Sequence, residues 1–144
     1  PMALIGGFIT PAQTLPDETP PDQREAISQL ETLMRARVEH LTELAIATGP
    51  AWMRPLGPAP RNPRDHTSWI HAVATIAAYR DRYTIRDDDH TVGEADFRDP
   101  GCDHAYHVAV AAGRIVRSAI DHERRRHQRL YAAPTPTRGA YRDL

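Results

Sequence analysis

Residues 48–63, TGPAWMRPLGPAPRNP, constrain the fold of this 144-residue chain more than any other segment. They contain five prolines and two glycines, and prolines at this density prevent a continuous helix. Trp52, Met53 and Leu56 lie among them, whereas a flexible linker would be rich in glycine and serine. PLGPAP also contains the PxxP pattern of a proline-recognition ligand. The apolar anchors favour a packed corner between two helices.

The segment before this corner has the three- and four-residue apolar spacing of an amphipathic helix. We expect this first helix over residues 22–48, with Thr19 or Asp22 as its cap and Pro20 and Pro21 at its start. Gly49-Pro50 should end it. The predicted apolar residues are Ile27, Leu30, Leu33, Met34, Val38, Leu41, Leu44, Ala45 and Ile46.

Two further helices are predicted after the corner. The second begins after Asn62, a good cap, and runs to about Tyr83 with apolar residues Trp69, Ile70, Val73, Ile76, Ala77, Tyr79 and Tyr83. The third should begin near Asp103, its cap, and run to about Tyr131. Its predicted apolar residues are Val108, Ala109, Ala112, Ile115, Val116, Ala119 and Ile120. Gly113 inside it predicts the close approach of another helix.

Composition supports an all-α fold, because the chain has 21 alanines and alanine is the best helix former. We expect three long helices with a structured Pro-rich corner in an elongated bundle. The predicted organisation has three parts: an irregular N-terminal arm (residues 1–21), a helical domain (22–131) and a flexible C-terminal tail (132–144). Large aliphatic residues are few, so a homodimer that completes the core stays an open alternative.

Charge is distributed unevenly along the chain. The net charge is −1, yet residues 81–103 hold eight acids against three arginines, and residues 114–142 hold eight arginines against two acids. Clustered arginines neutralise phosphates, which makes the third helix a candidate surface for single- or double-stranded DNA. Alternatively, these arginines form a solvated helix end, or the acidic loop folds back onto them. The candidate DNA-binding residues are Arg117, Arg124, Arg125, Arg126 and Arg129.

Other candidate chemistry is weak. Residue types that bind zinc occur close together at Cys102, Asp103, His104 and His107. No second pair of ligands lies at the spacing typical of a zinc site. Tyr79 and Tyr83 are best interpreted as core residues with their hydroxyls at the rim. No nucleophile lies beside a base. We therefore predict no catalytic residue, no metal, no cofactor and no enzymatic activity, with a small metal-dependent enzyme acting through His104 and His107 as the weakest alternative.

Targeting signals are also missing from the sequence. The opening PMALIGGFIT has no basic region and too short an apolar run for a signal peptide, and no stretch approaches the ~20 apolar residues of a spanning helix. The single cysteine is typical of a reducing compartment. A cytoplasmic protein without membrane insertion is expected.

Residues 50–85, PAWMRPLGPAPRNPRDHTSWIHAVATIAAYRDRYTI, resemble a segment of large actinobacterial conjugative relaxases of the TrwC/TraI type (MobF). The resemblance covers about residues 22–90. In that family the segment lies downstream of the relaxase and helicase domains. The matching residues are Trp52, Leu56, Gly57, Pro60, Trp69, Val73, Ala77, Ala78, Tyr79 and Arg80. The acidic insertion at 86–103 departs from the family pattern.

The resemblance implies a non-catalytic module of a DNA-transfer protein. Neither the phosphate-binding loop of the helicase nor the histidine triad of the relaxase is present here. Such a module would recruit the relaxase to proteins of the conjugative transfer apparatus, contact DNA or associate with itself. The residues expected to carry its structure are Trp52, Leu56, Trp69, Tyr79 and Tyr83.

Overall fold

A computed structural model describes residues 19–95 and 100–132 of the chain. Within them the protein forms three long α-helices and one short 3₁₀ helix, without a strand. The helices are α1 (Pro21–Thr48), the 3₁₀ helix (Ala51–Leu56), α2 (Pro63–Arg82) and α3 (Pro100–Tyr131). The predicted all-α class is confirmed. The predicted arm and tail lie almost entirely outside the described residues.

Local signals explain most helix ends. Gly49 ends α1 in a left-handed conformation (φ 56°), and the side chain of Asn62 caps α2 by accepting a 2.9 Å bond from the amide of Arg64. Two cap predictions are wrong. Pro20, without a side-chain cap bond, precedes α1 in place of Thr19 or Asp22. Helix α3 begins at Pro100, which needs no amide hydrogen in the first turn, so Asp103 lies inside the helix.

The Pro-rich corner is packed, as predicted. Trp52 is 7% exposed and Leu56 is fully buried, both within the 3₁₀ helix. The indole nitrogen of Trp69 donates to the carbonyls of Leu56 and Gly57, each at 3.2 Å. This shared donor ties the corner to the first turns of α2. The segment is therefore a structured element and not a free linker.

Helix α2 is the centre of the bundle, because α1 and α3 both pack against it. The largest fully buried side chains are Leu56, Val73, Ile76 and Tyr79. All five residues expected to carry the structure are buried. Small residues of α3 complete the core, and the buried ones are Cys102, Ala105, Ala109, Ala112, Gly113 and Val116.

One prediction for the apolar face of α3 is wrong. Ile115 is 62% exposed, because its neighbours Ala112, Gly113 and Val116 face α2 and turn Ile115 away. At Gly113 an added methyl group would lie 3.7 Å from Ile76 Cδ1, which is an ordinary van der Waals distance. Helix α2 does approach Gly113, as predicted, but the distance leaves room for alanine at this position.

Helix α1 packs on α2 through its C-terminal half only. Arg37 and Asp81 form an ion pair at 2.7 Å, and α2 ends one residue later at Arg82. The last two turns of α1, from Leu41 to Thr48, line one pocket together with Ala77, Arg80 and Asp81 at the C-terminal end of α2. Residues 21–36 of α1 contain half-buried side chains at Arg24, Ile27, Glu31, Met34 and Arg35.

The structure corrects the predicted apolar stripe of α1. Leu30 and Leu33 are 57% and 68% exposed, and only Thr42 and Ala45 of this helix are buried. Leu44 and Ile46 are also exposed because they face away from α2. The covered stripe is narrower than predicted: Ile27, Met34, Val38 and Leu41 are half-buried, whereas Leu30, Leu33 and Leu44 lie together to one side of it.

The acidic loop after α2 folds around the guanidinium of Arg80. This group donates to the carbonyls of Asp87, His90 (3.0 Å), Thr91 (3.4 Å) and Val92 (3.4 Å). It also pairs with the carboxylate of Asp88 at 3.2 Å. The described part of the loop is thus held at the C-terminal end of α2, beside the start of α3.

Candidate functional site

The arginines of α3 are all solvent-exposed. The predicted DNA-binding residues lie on the C-terminal half of this helix together with Arg114. They are Arg117, Arg124, Arg125, Arg126 and Arg129. Within the part of the chain that the structure describes, none of them forms an ion pair with a carboxylate. The side chain of Arg125 donates to the carbonyl of Asp121 at 3.2 Å. These guanidinium groups are available to an external anion.

Four of these arginines share one side of α3. At 3.6 residues per turn, Arg114, Arg117, Arg125 and Arg129 fall within an arc of about 120°, opposite the buried residues Ala109 and Val116. We call this surface the arginine face. It extends about 22 Å along the helix axis. Arg124 and Arg126 flank it on its two sides.

The acidic loop does not neutralise the arginine face. Two of its carboxylates pair within the loop region, Asp88 with Arg80 and Asp87 with His90 at 2.6 Å, and Asp81 at the end of α2 pairs with Arg37. The loop lies near Cys102, which is 12 residues or about 18 Å of helix before Arg114, the first residue of the arginine face. That separation exceeds the Debye length of about 8 Å at physiological salt. For the described loop residues, the fold-back alternative is wrong.

A groove separates the corner from the C-terminal half of α3. We call it the α3 groove; its volume is about 700 Å³. Pro58 and Ala59 form one wall, and Val116, Ala119 and Ile120 form the other. Polar side chains border these walls, and they are Arg61, Asp65, Ser68, Glu123, Arg124, His127 and Gln128.

The α3 groove was not predicted. Gly57 turns the chain with φ 66° directly against Ile120, whose Cδ1 would lie 3.1 Å from an added methyl group. Beyond this contact the short side chains of Ala59 and Ala119 leave the space between the two segments open. The sequence contains one indication of this groove: the apolar spacing of α3 continues to Ile120, beyond the residues that pack against α2.

The candidate metal residues of the sequence do not converge. Cys102 is buried next to Tyr79, while Asp103, His104 and His107 are exposed. Among the described residues, no three His, Cys, Asp or Glu side chains are grouped as metal ligands.

The tyrosine prediction is partly wrong. Tyr79 and Tyr83 are core residues, but the hydroxyl of Tyr79 is buried and donates to the carbonyl of Gly93 at 3.4 Å. Burial raises the pKa of Tyr79 to about 12, with a smaller contribution from the Cys102 thiol. Both the burial of the hydroxyl and the raised pKa are opposite to the lowered pKa that activates a nucleophile.

The helices that the structure describes contain no window with the length and hydropathy of a membrane-spanning segment. No protein-family model, curated protein or solved structure matches the chain. The resemblance to conjugative relaxases therefore stays a prediction from sequence.

Proposed function

We propose that this chain is a non-catalytic interaction module of a DNA-transfer protein, and that its arginine face binds the phosphate backbone of DNA. One observation carries the proposal. Arg114, Arg117, Arg125 and Arg129 are exposed on one side of α3 without an ion-pair partner among the described residues. Guanidinium groups form bidentate hydrogen bonds with phosphate oxygens, and a row of them follows a charged backbone.

The helix dipole does not account for this row. Cations stabilise a helix C-terminus, but the effect is confined to the last turn. Of the arginines in α3, only Arg129 lies in that turn. Arg114 and Arg117 lie three to five turns earlier, where the dipole gives no benefit. The resemblance of residues 22–90 to conjugative relaxases supports DNA as the polyanion.

DNA binding is tested by fluorescence anisotropy with labelled single- and double-stranded oligonucleotides over a range of salt concentrations. We expect affinity to fall steeply with salt, with a slope of about 0.9 per phosphate contact in duplex DNA. The double variant Arg117→Ala, Arg125→Ala should reduce that slope by about 2. The matched control is Arg82→Ala, Arg86→Ala, which removes two exposed arginines at the opposite end of the molecule. Equal losses in the two variants, or binding without salt dependence, would contradict the proposal.

A second candidate function is protein docking, either to the transfer apparatus or between copies of the chain. The α3 groove favours it, since an apolar groove bordered by charged side chains is typical of helix-binding sites. The α3 groove and the arginine face lie on adjacent sides of α3 and meet at Arg124, which borders both.

A further inference from the structure

We propose that the C-terminal half of α3 lies in the major groove of double-stranded DNA. The inference rests on the proposed DNA-binding function, and it adds the form of the DNA and the groove that receives the helix. Six arginines of α3 carry it together. They are Arg114, Arg117, Arg124, Arg125, Arg126 and Arg129.

The end of α3 is exposed on every side. Val116 is the last buried residue of this helix, and all residues from Asp121 to Tyr131 are exposed. This end forms about three turns of helix and is about 16 Å long, which corresponds to roughly five base pairs of DNA. An α-helix with its side chains is about 10–12 Å across, and the major groove, about 12 Å wide, admits one. The exposed end therefore has the size and the accessibility that insertion requires.

The arginines cover most of the side of α3 that is turned away from the bundle. Arg124 and Arg126 lie about 100° to either side of Arg125, because consecutive helical residues are about 100° apart. Arg117 lies on the same side as Arg124, about 80° from Arg125. All six arginines fall within an arc of about 200°, whose centre at Arg125 is opposite the buried Val116.

An arc of this width matches phosphates on both sides of the helix. In the major groove the backbones of the two strands run along the two walls, so Arg117 and Arg124 face one strand and Arg126 faces the other. A single strand presents its phosphates to one side only and leaves the arginine on the opposite side without an anion. The arrangement therefore favours double-stranded DNA.

The centre of the arc carries residue types that recognise base edges. Arg125 faces the floor of the groove, where arginine donates to guanine O6 and N7. Asp121 lies one turn earlier, and its carboxylate can accept from the amino group of cytosine there, whereas a backbone phosphate would repel it. The guanidinium of Arg125 still lies between two charged strands, so it contributes to the salt dependence of binding.

Single-stranded DNA fits this surface less well. Proteins that hold single strands stack successive bases on aromatic side chains. In the exposed end of α3 the aromatic residue is Tyr131, which lies outside the arc, about 120° from Arg125. Its ring packs against His127, with 4.4 Å between the ring centroids. One ring at the edge of the arc does not form a row on which bases stack.

The first test is fluorescence anisotropy of the full chain with a duplex and with each of its single strands, at equal length and salt concentration. We expect the duplex to be bound about 10-fold more tightly or more, because only a duplex presents two backbones to the arc. Equal affinity for the duplex and the single strands, or tighter binding of a single strand, would overturn the proposal.

The groove is identified by modifying the duplex while its backbone charge stays constant. Glucosylated 5-hydroxymethylcytosine places a bulky group in the major groove and should weaken binding by about 10-fold or more. Replacing guanine by hypoxanthine removes an amino group from the minor groove only and should leave the affinity unchanged. A glucosylated duplex bound as tightly as the unmodified one would show that α3 lies outside the major groove.

A double variant tests the two sides of the helix. Arg124→Ala, Arg126→Ala keeps Arg125 and should weaken duplex binding by about 30-fold but single-strand binding by less than about 5-fold. The matched control Arg82→Ala, Arg86→Ala should leave the preference for the duplex unchanged. All four substituted positions are exposed, so circular dichroism should show folded proteins. An unchanged preference in the first variant would mean that its two arginines do not contact opposite strands.

Failure of this inference and failure of the proposed function give different results. If Arg117→Ala, Arg125→Ala lowers the salt slope while glucosylation has no effect, the arginine face binds the backbone from outside the major groove. If that variant changes neither the affinity nor the slope, DNA binding by the arginine face is refuted, and insertion into the groove with it.

Discussion

The guanidinium carbon of Arg80 lies 5.4 Å from the centre of the Trp52 ring, and this pair joins the Pro-rich corner to the acidic loop. Arg80 is only 6% exposed, and its guanidinium donates to carbonyls on the loop while stacking on the tryptophan. Burial lowers the pKa of Arg80 from its ordinary value, and the carboxylates of Asp88 and Asp87 oppose that shift. The charge is retained, because an arginine is not deprotonated in proteins.

Arg80→Met should therefore destabilise the protein by roughly 3 kcal/mol, since it leaves the carbonyls of residues 87 and 90–92 without their donor. Arg80→Lys keeps the charge but loses the planar fork, so it should recover only part of the stability. Urea denaturation measures both effects, and limited proteolysis should show faster cleavage within residues 84–95. A variant Arg80→Met as stable as the parent would show that the loop is not held by this group.

Leu56→Ala should cost about 3 kcal/mol, because Leu56 is fully buried in the corner and its truncation leaves a cavity. Leu33→Ala makes the same change at a residue that is 68% exposed and should alter stability by less than about 0.5 kcal/mol. Urea denaturation of the dilute, monomeric protein gives both values. Equal effects at the two positions would contradict the packed corner.

Gly113→Ala should stabilise the protein by about 0.5 to 1 kcal/mol. The added methyl group meets Ile76 at an ordinary distance, and alanine removes the conformational cost of glycine inside a helix. Gly57→Ala should do the opposite, because Gly57 has φ 66° and its new methyl group would press on Ile120. Thermal unfolding followed by circular dichroism measures both midpoints. A lower midpoint for Gly113→Ala would mean that α2 and α3 approach more closely than the structure shows.

Tyr79 should make stability fall at alkaline pH. Its pKa is raised from 10.0 to about 12, mainly because it is buried, so above pH 10 the unfolded chain loses this proton before the folded chain does. The stabilisation associated with the neutral phenol is therefore complete below pH 10 and is lost as the pH rises towards 12. Tyr79→Phe should flatten the dependence in this window, measured by urea denaturation at several pH values. Tyr131→Phe, at a tyrosine that is 75% exposed, is the control.

Much of the fold was predictable because its signals are local. The cap at Asn62, the left-handed stop at Gly49 and the apolar spacing around Trp69 each act within a few residues of chain. The packed corner was predictable for a related reason: Trp52 and Leu56 have no stable place in a solvated linker. The exposed arginines of α3 were also identified, since charge is read directly from the residue types.

The candidate sites depend on relationships that local patterns do not contain. Leu30 and Leu33 have the spacing of core residues, and they are exposed because, like Leu44, they lie to one side of the half-buried stripe of α1. The separation of the acidic loop from the arginine face arises because the loop closes on Arg80 while α3 runs to the opposite end of α2. The α3 groove joins Ala59 and Ala119, residues 60 positions apart, and it exists because both side chains are short where the corner and α3 diverge. Helix type follows from hydrogen bonds and side chains within one or two turns, whereas helix overlap and the space between helices follow from the packing of the whole chain.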